Sequence, residues 1–431
     1  MNSKVPFGRQ MRETHFGFAP SFTPFNHGSY GATPLLVLRR QKEIQKLELE
    51  RPDPFIIYDL PNLIDESRKA VAPLLGASVD EVVLVPNAST GVNIVLRNLK
   101  FEEKDVIVHF STIYDACERA IDSVSALTPL TARSIPLQYP IEDDEIVQRL
   151  RDMVQKVGDE GLNVKIAMFD TVLTFPGVPM PWEALTETCK ELGVLSLVDG
   201  AHGIGHVDLK QLGSISPDFF VSNCHKWLYV PRGCAVFYVP IRNQHLIRSS
   251  LPTSYRYRED ESPDSNGKSR FVMLFEFVAT MDHSSYCCVP AAIEFREIIC
   301  GGEDEIIRYC LDLAAKGGQR VAEILGTKVM ANKSGSLARC CFSTVMLPLV
   351  LKDGKDPVSK GEFHTKDVSK IKSWLNTTAF KEFDTYLQTD SHAGAMWVRL
   401  SAQIYLELGD YDWVGSKLKE LCERLVDQGL D

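Results

Sequence analysis

The sequence predicts an α/β protein in which an open, mostly parallel sheet is sandwiched by helices and followed by a smaller α+β unit. Three observations carry this. Short, β-branched and almost wholly apolar runs recur at intervals, as strands covered on both faces do. Amphipathic stretches that close on glycine separate them, which is how crossover helices end. After about residue 290 the alternation gives way to long helical patterns around a single apolar strand.

The strands are read at "EVVLVPN" (81–87), "DVIVHF" (105–110), "VKIAMFD" (164–170), "VLSLVDG" (194–200), "DFFVSN" (218–223) and "CAVFYV" (234–239). Between them, "DESRKAVAPLLG" (65–76) and "PWEALTETCKELG" (181–193) carry apolar residues at helical spacing. "YREDESPDSNGKSR" (257–270) reads as a mobile loop, being rich in charge and turn formers. Beyond it, residues 303–326 read as one long helix or a pair, 338–351 as a strand and 413–428 as a closing amphipathic helix. The expected organisation is an N-terminal segment (1–45) lying on the small domain and the active site, a large domain (46–290) and a small C-terminal domain (291–431).

Composition restricts the function. With 47 basic and 57 acidic residues the chain has a formal charge of −10, the wrong sign for a nucleic acid or an anionic membrane. No run reaches the roughly 18 apolar residues of a membrane span, and "MNSKVPFGRQMRETHF" lacks the apolar stretch of a secretory signal, so a cytoplasmic protein is expected. The 11 cysteines are scattered through apolar patterns with no Cys-x-x-Cys pair, which predicts free thiols. A small-molecule substrate is the expected partner.

In open α/β sheets ligands bind beyond the carboxyl ends of the strands. There the chain places "NASTG" with Ser89 and Thr90 opening a helix, then Tyr114, Asp170, Asp199 with His202, and Ser222 with His225 and Lys226. Each has an ordinary reading: Asp199 as a turn former, "NASTG" as a helix cap, Lys226 reaching to water, Tyr114 as core. His202 and His206 stand four apart, but no completing ligand motif accompanies them, so no metal is predicted. Their conjunction is harder to explain as accident. A phosphate cradle, an aromatic face, a carboxylate for a pyridine nitrogen and an amine for a carbonyl are together what pyridoxal 5'-phosphate requires.

These residues also carry a family resemblance. "VDGAHGIGHVDLKQLGSISPDFFVSNCHKWLYVPRGCAVFYV" (198–239) resembles the class V aminotransferase branch of the fold type I pyridoxal-phosphate enzymes, and the similarity runs from "FNHGSYGATP" to "WVRLSAQIYLELGDYDW". The resemblance implies a seven-stranded sheet, a homodimer and an amino-acid substrate. It also implies roles. Lys226 would bond to the cofactor's carbonyl and shuttle the Cα proton; Asp199 would pair with the pyridinium; His202 would lie near the phenolic oxygen or ring face. Ser89, Thr90, Ser222 and His225 would bind phosphate, joined by Thr280 from a second subunit. Asp170 would lie beside the cofactor. Tyr114 would stack on the ring or act as acid to the leaving group, Arg399 would clamp the substrate carboxylate, and Asn26 and His27 would line the substrate side.

Within the branch the chain is similar to the hercynylcysteine sulfoxide lyases, which cleave a C–S bond, and to loline-type alkaloid enzymes that close rings by a Mannich reaction. Leu173 in "DTVLTFPG" and the small residues of "SHAGAMWVR" (391–399) suggest a less polar substrate. The expectation is therefore a Mannich-type cyclase or related lyase working through a Cα carbanion. C–S β-elimination, transamination and a non-catalytic protein of the same fold are the alternatives.

Overall fold

The computed structural model describes residues 5–258, 267–354 and 358–430. Its larger sheet is built from β1 (Val82–Val85), β2 (Asp105–Phe110), β3 (Thr131–Ile135), β4 (Asn163–Asp170), β5 (Leu195–Asp199), β6 (Phe219–Ser222) and β7 (Ala235–Tyr238), in the order β1-β7-β6-β5-β4-β2-β3. Pairing is parallel from β6 through to β3, and β7 runs antiparallel to both its neighbours. Helices cover both faces, which is why the central strands are buried along almost their whole length.

Six strands lie where the apolar runs place them. β3, "TARSI", has no such run: it is an edge strand with four of its five residues at least partly exposed, so its sequence carries little hydrophobic signal.

The second sheet comprises β8 (Phe342–Lys352), β9 (Glu362–His364), β10 (Gln388–His392) and β11 (Ala395–Ser401), ordered β10-β11-β8-β9. Against it packs one unbroken helix, Glu303–Leu325, where the sequence left a helix pair open. Gly317 and Gly318 sit mid-helix because side chains there would collide: a Cβ on Gly317 would lie 2.3 Å from the Tyr411 ring, and one on Gly318 would lie 2.7 Å from Ser343. The closing helix is Leu408–Gln428.

The N-terminal segment runs across this unit. The Gly8 amide donates to Ile404 O, Thr23 bridges Thr385, and the Ser401 amide donates to Phe25 O. All 11 cysteines are buried free thiols. Residues 259–266, the centre of the segment read as a mobile loop, lie outside the described residues. Among the described residues no helix is long and apolar enough to cross a membrane.

The two contrasting glycines give a packing test. Gly317→Ala should destabilise the fold by about 1–3 kcal/mol through overpacking against Tyr411. Gly158→Ala, where a Cβ meets nothing within 4 Å in an exposed helical turn, should stabilise it by roughly 0.5 kcal/mol. Denaturant midpoints of the two variants check the opposite signs.

Candidate active site

The parallel register of β4 and β5 pairs Asp170 with Asp199, so two buried carboxyls end neighbouring strands side by side. They are not equivalent. Asp199 accepts hydrogen bonds from the Ala201 amide (2.9 Å) and the Cys117 thiol (3.3 Å), whereas Asp170 has no side-chain hydrogen bond among the described residues. Burial raises both, and the neighbouring negative charge raises Asp170 further. The two donors on Asp199 favour its carboxylate form, while burial and the neighbouring charge favour a proton on Asp170.

β6 ends at Ser222 and runs into the short helix Cys224–Trp227, which carries Lys226 into the same space. Its Nζ lies 3.3 Å from His202 Nε2. Burial first, then the charge of Arg399, bring the Lys226 ammonium down to about 8 from 10.5, with Asp199, Asp170 and Cys117 pulling the other way.

The N-terminal segment closes over this turn. Gly31 has φ +67°, and a Cβ there would lie 1.8 Å from His225 O and 2.9 Å from Lys226 Cα, so glycine is required on both counts. The preceding residues deliver Asn26 and His27. His27 is hydrogen-bonded through Nδ1 to the Tyr405 hydroxyl at 2.7 Å, while its Nε2 is buried without a partner; burial drives it down to about 3.

Arg399, on β11, is fully buried. It donates to Thr174 O (2.5 Å), Asn26 Oδ1 (2.9 Å) and Ser29 Oγ (3.1 Å), and its guanidinium lies over the Phe342 ring at 4.5 Å. Its Nε is unpartnered and no carboxylate pairs with it among the described residues. Burial lowers it to about 10. A guanidinium buried without a counter-ion is costly, and an anionic ligand would relieve that cost.

At the start of helix Ala88–Asn98 two amides are already taken: Ala88 N donates to Asn223 Oδ1 and Thr90 N to Asn87 Oδ1, both at 2.9 Å. The Thr90 hydroxyl also donates to Asn87. Ser89 keeps its amide and hydroxyl free of partners among the described residues, so less of the expected cradle is open than its hydroxyls suggest.

Ser222 departs further from expectation. Its hydroxyl donates to Gly200 O and accepts from the Ile204 amide, so it staples the turn after β5 and has no proton left for an anion. His225 Nδ1 donates to Cys234 O at 3.0 Å, and burial lowers it to about 4, so binding an anion through Nε2 requires it to take up a second proton. Tyr114 caps helix Asp115–Ser125, is 43% exposed and has its phenol raised by burial and by nearby Cys117, Tyr30 and Asp199. Thr280 is exposed, within a stretch that lies beside Thr90 and Pro86, and bonds to none of the residues above.

His206 is explained by structure alone: Nδ1 donates to His202 O and Nε2 accepts from the Cys341 amide. Among the described residues no group of three His, Cys, Asp or Glu is placed to hold a metal. Leu173 is fully buried in the core, and Ala393 and Gly394 form the tip of the β10–β11 hairpin, about 13 Å of strand from Arg399. Leu173 stands one residue before Thr174, whose carbonyl accepts from Arg399.

Sequence reasoning gave no role to Cys117, Trp227 and Arg296. Arg296, fully buried and paired with Glu303, donates to Trp227 O at 2.8 Å and so anchors the end of the Lys226 turn. Cys117 lay three residues after Tyr114, one helical turn along, which is the only signal it gave.

The charges around Lys226 predict signed pH shifts. Reductive methylation of Lys226, followed by mass spectrometry, should give a midpoint near 8. Arg399→Met removes a cation and should raise the midpoint; Asp199→Asn removes an anion and should lower it.

The chain is similar to several known proteins over nearly its whole length. L-cysteine desulfhydrase-like protein lolT1 of Epichloe uncinata is 36% identical, covering 99% of each chain. Hercynylcysteine sulfoxide lyase of Schizosaccharomyces pombe is 29% identical, covering 96% of this chain and 98% of the other. The structure of the cystine C–S lyase C-DES with its product cysteine persulfide superposes with a TM-score of 0.73 at 18% identity, covering 93% of this chain and 97% of that one, a likeness of fold. The sequence model of the class-V aminotransferases matches residues 59–338, and on that match together with the 36% identical relative, the chain belongs to the aminotransferase class-V family.

Proposed function

We propose that this protein is a pyridoxal 5'-phosphate-dependent enzyme acting at the α and β carbons of an amino acid. The observation that carries the reading is one constellation: the Lys226 amine after β6, the Asp199 carboxyl on the neighbouring strand and a buried guanidinium without a counter-ion among the described residues.

The residues fit the cofactor by their chemistry. Lys226 is the amine that would bond to its carbonyl, Asp199 the carboxylate that would keep its pyridine nitrogen protonated, and His202 the imidazole beside it. Ser89 with the open helix end, Thr90 and a protonated His225 would hold its phosphate; Asp170 would donate its retained proton, and Tyr114 would cover the ring from the exposed side. When bound, the cofactor supplies an electron sink that makes the α proton of an amino acid removable.

The chain's own residues do the rest. Arg399 would bind the substrate carboxylate through the edge that carries its unpartnered Nε, steadied by Asn26 and by Phe342 beneath it. Lys226, as free amine, takes the α proton. Tyr114 stands at the open side to protonate a leaving group, and His27 presents its bare Nε2 to the substrate side. Thr280 would complete a neighbouring site in a two-fold dimer.

Loss of a β substituent is the reading this site supports best, since it asks for nothing beyond these groups, and the relatives named above include proteins named as desulfhydrase-like and as C–S lyases. Ring closure is the second reading. It rests on the sequence resemblance to the loline-type ring-closing enzymes, while the 36% identical Epichloe relative is itself named desulfhydrase-like.

Purified protein should show a visible absorption band bleached by borohydride. Lys226→Ala should lose it. Asp199→Asn should retain the band but turn over about a thousandfold more slowly, the loss of a charge-stabilising partner worth several kcal/mol. Mass balance separates the two reactions: stoichiometric pyruvate from a cysteine-conjugate sulfoxide means elimination, and a cyclised product that keeps every carbon of an iminium-bearing amino acid means ring closure. Failure of the wild-type protein to show the band would overturn the cofactor assignment.

A further inference from the structure

We propose that Trp227 is a positioning residue that sets the tautomer of His202, so that Lys226 is met by a ring N–H and held as the free amine. The inference rests on reading Lys226 as the reacting amine.

The argument begins with what an indole can do. Trp227 Nε1–H lies 3.2 Å from His202 Nδ1, and an indole nitrogen only donates, so Nδ1 must offer its lone pair. A neutral imidazole with a bare Nδ1 carries its proton on Nε2. That Nε2–H faces Lys226 Nζ at 3.3 Å. An ammonium there would turn donor against donor, whereas a free amine accepts.

A second proton on His202 is disfavoured by its surroundings. The charged and titratable groups facing it are Lys226, Arg399, His206 and His27; all oppose a cation, and burial drives the imidazole well below its ordinary value. Those facing Lys226 are Arg399 from β11, Asp199 from β5, Asp170 from β4, Cys117 from helix Asp115–Ser125, and His27, His206 and His225. Of these, His206 and His27 pack on the Trp227 ring, so a substitute that keeps the ring shape is the cleaner variant.

The indole itself is clamped. His206 stacks on it at 3.9 Å and 19°, the edges of His27 and Phe342 meet it at 4.8 and 5.3 Å, and its carbonyl is bonded by Arg296. His206 is in turn fixed at both ring nitrogens by His202 O and the Cys341 amide.

The test uses the full-length chain freed of carbonyl ligands and labelled with 15N-histidine, with His202 assigned by comparison with His202→Gln. Wild type should show His202 bare at Nδ1 and protonated at Nε2. In Trp227→Phe the ring should shift to the Nδ1–H form, and the methylation midpoint of Lys226 should rise by about one pH unit, a tenfold loss of rate below the midpoint, as expected for one hydrogen bond exchanged. If Trp227→Phe does not fold, benzothienylalanine at position 227 keeps the ring shape and removes only the N–H. A wild-type His202 protonated at Nδ1, or a folded variant in which both tautomer and midpoint are unchanged, overturns the proposal. Because no pyridoxal phosphate is present, such a result leaves the cofactor reading standing; loss of the wild-type visible band would instead fail that reading alone.

Discussion

Arg399, fully buried, and Lys226, half-buried, share a space with two buried carboxyls, and no carboxylate pairs with the guanidinium among the described residues. That arrangement is the constraint on which the site depends. Burial and then the charge of Arg399 lower the Lys226 ammonium to about 8, and the unpaired guanidinium is left calling for an anion. A fold optimised for stability alone would place an acid beside Arg399. Here the partners are instead a carbonyl, an amide oxygen, a hydroxyl and the face of Phe342, which orient the guanidinium without neutralising it.

The sheet makes this arrangement possible. Parallel pairing of β4 with β5 and of β5 with β6 brings Asp170, Asp199 and the turn bearing Lys226 to one edge without further instruction. The remaining walls come from far along the chain: the Asn26–Gly31 turn from the N-terminus and β11 from the second sheet. Gly31 lets the first approach the Lys226 turn closely, and Arg296 holds that turn from behind through the Trp227 carbonyl. His27, His202, His206 and His225 each have a nitrogen committed to a named neighbour, so the fold fixes their orientation.

The strand ends were legible because apolar runs mark buried strands and the residue after each run stands at the ligand edge. Asp170, Asp199 and Lys226 were found in this way, and the larger sheet was read apart from β3, whose exposed edge lacks the apolar pattern. Ser222 reads like a phosphate ligand but serves the turn after β5, because a hydroxyl's partners are fixed by backbone carbonyls that sequence does not locate. The 393–394 turn shows the same limit: side-chain character says nothing of which way a loop faces. Cys117, Trp227 and Arg296 were silent, since cysteine, tryptophan and a helical arginine are ordinary core and surface residues until the packing aims them.

The central claim is that Lys226 is the reacting amine of a cofactor site. Peptide mapping of the borohydride-reduced wild-type protein after incubation with pyridoxal 5'-phosphate tests it most directly. The account predicts one stoichiometric pyridoxyl adduct, on the peptide containing Lys226; an adduct on another lysine, or labelling spread over surface lysines with Lys226 unmodified, would contradict it.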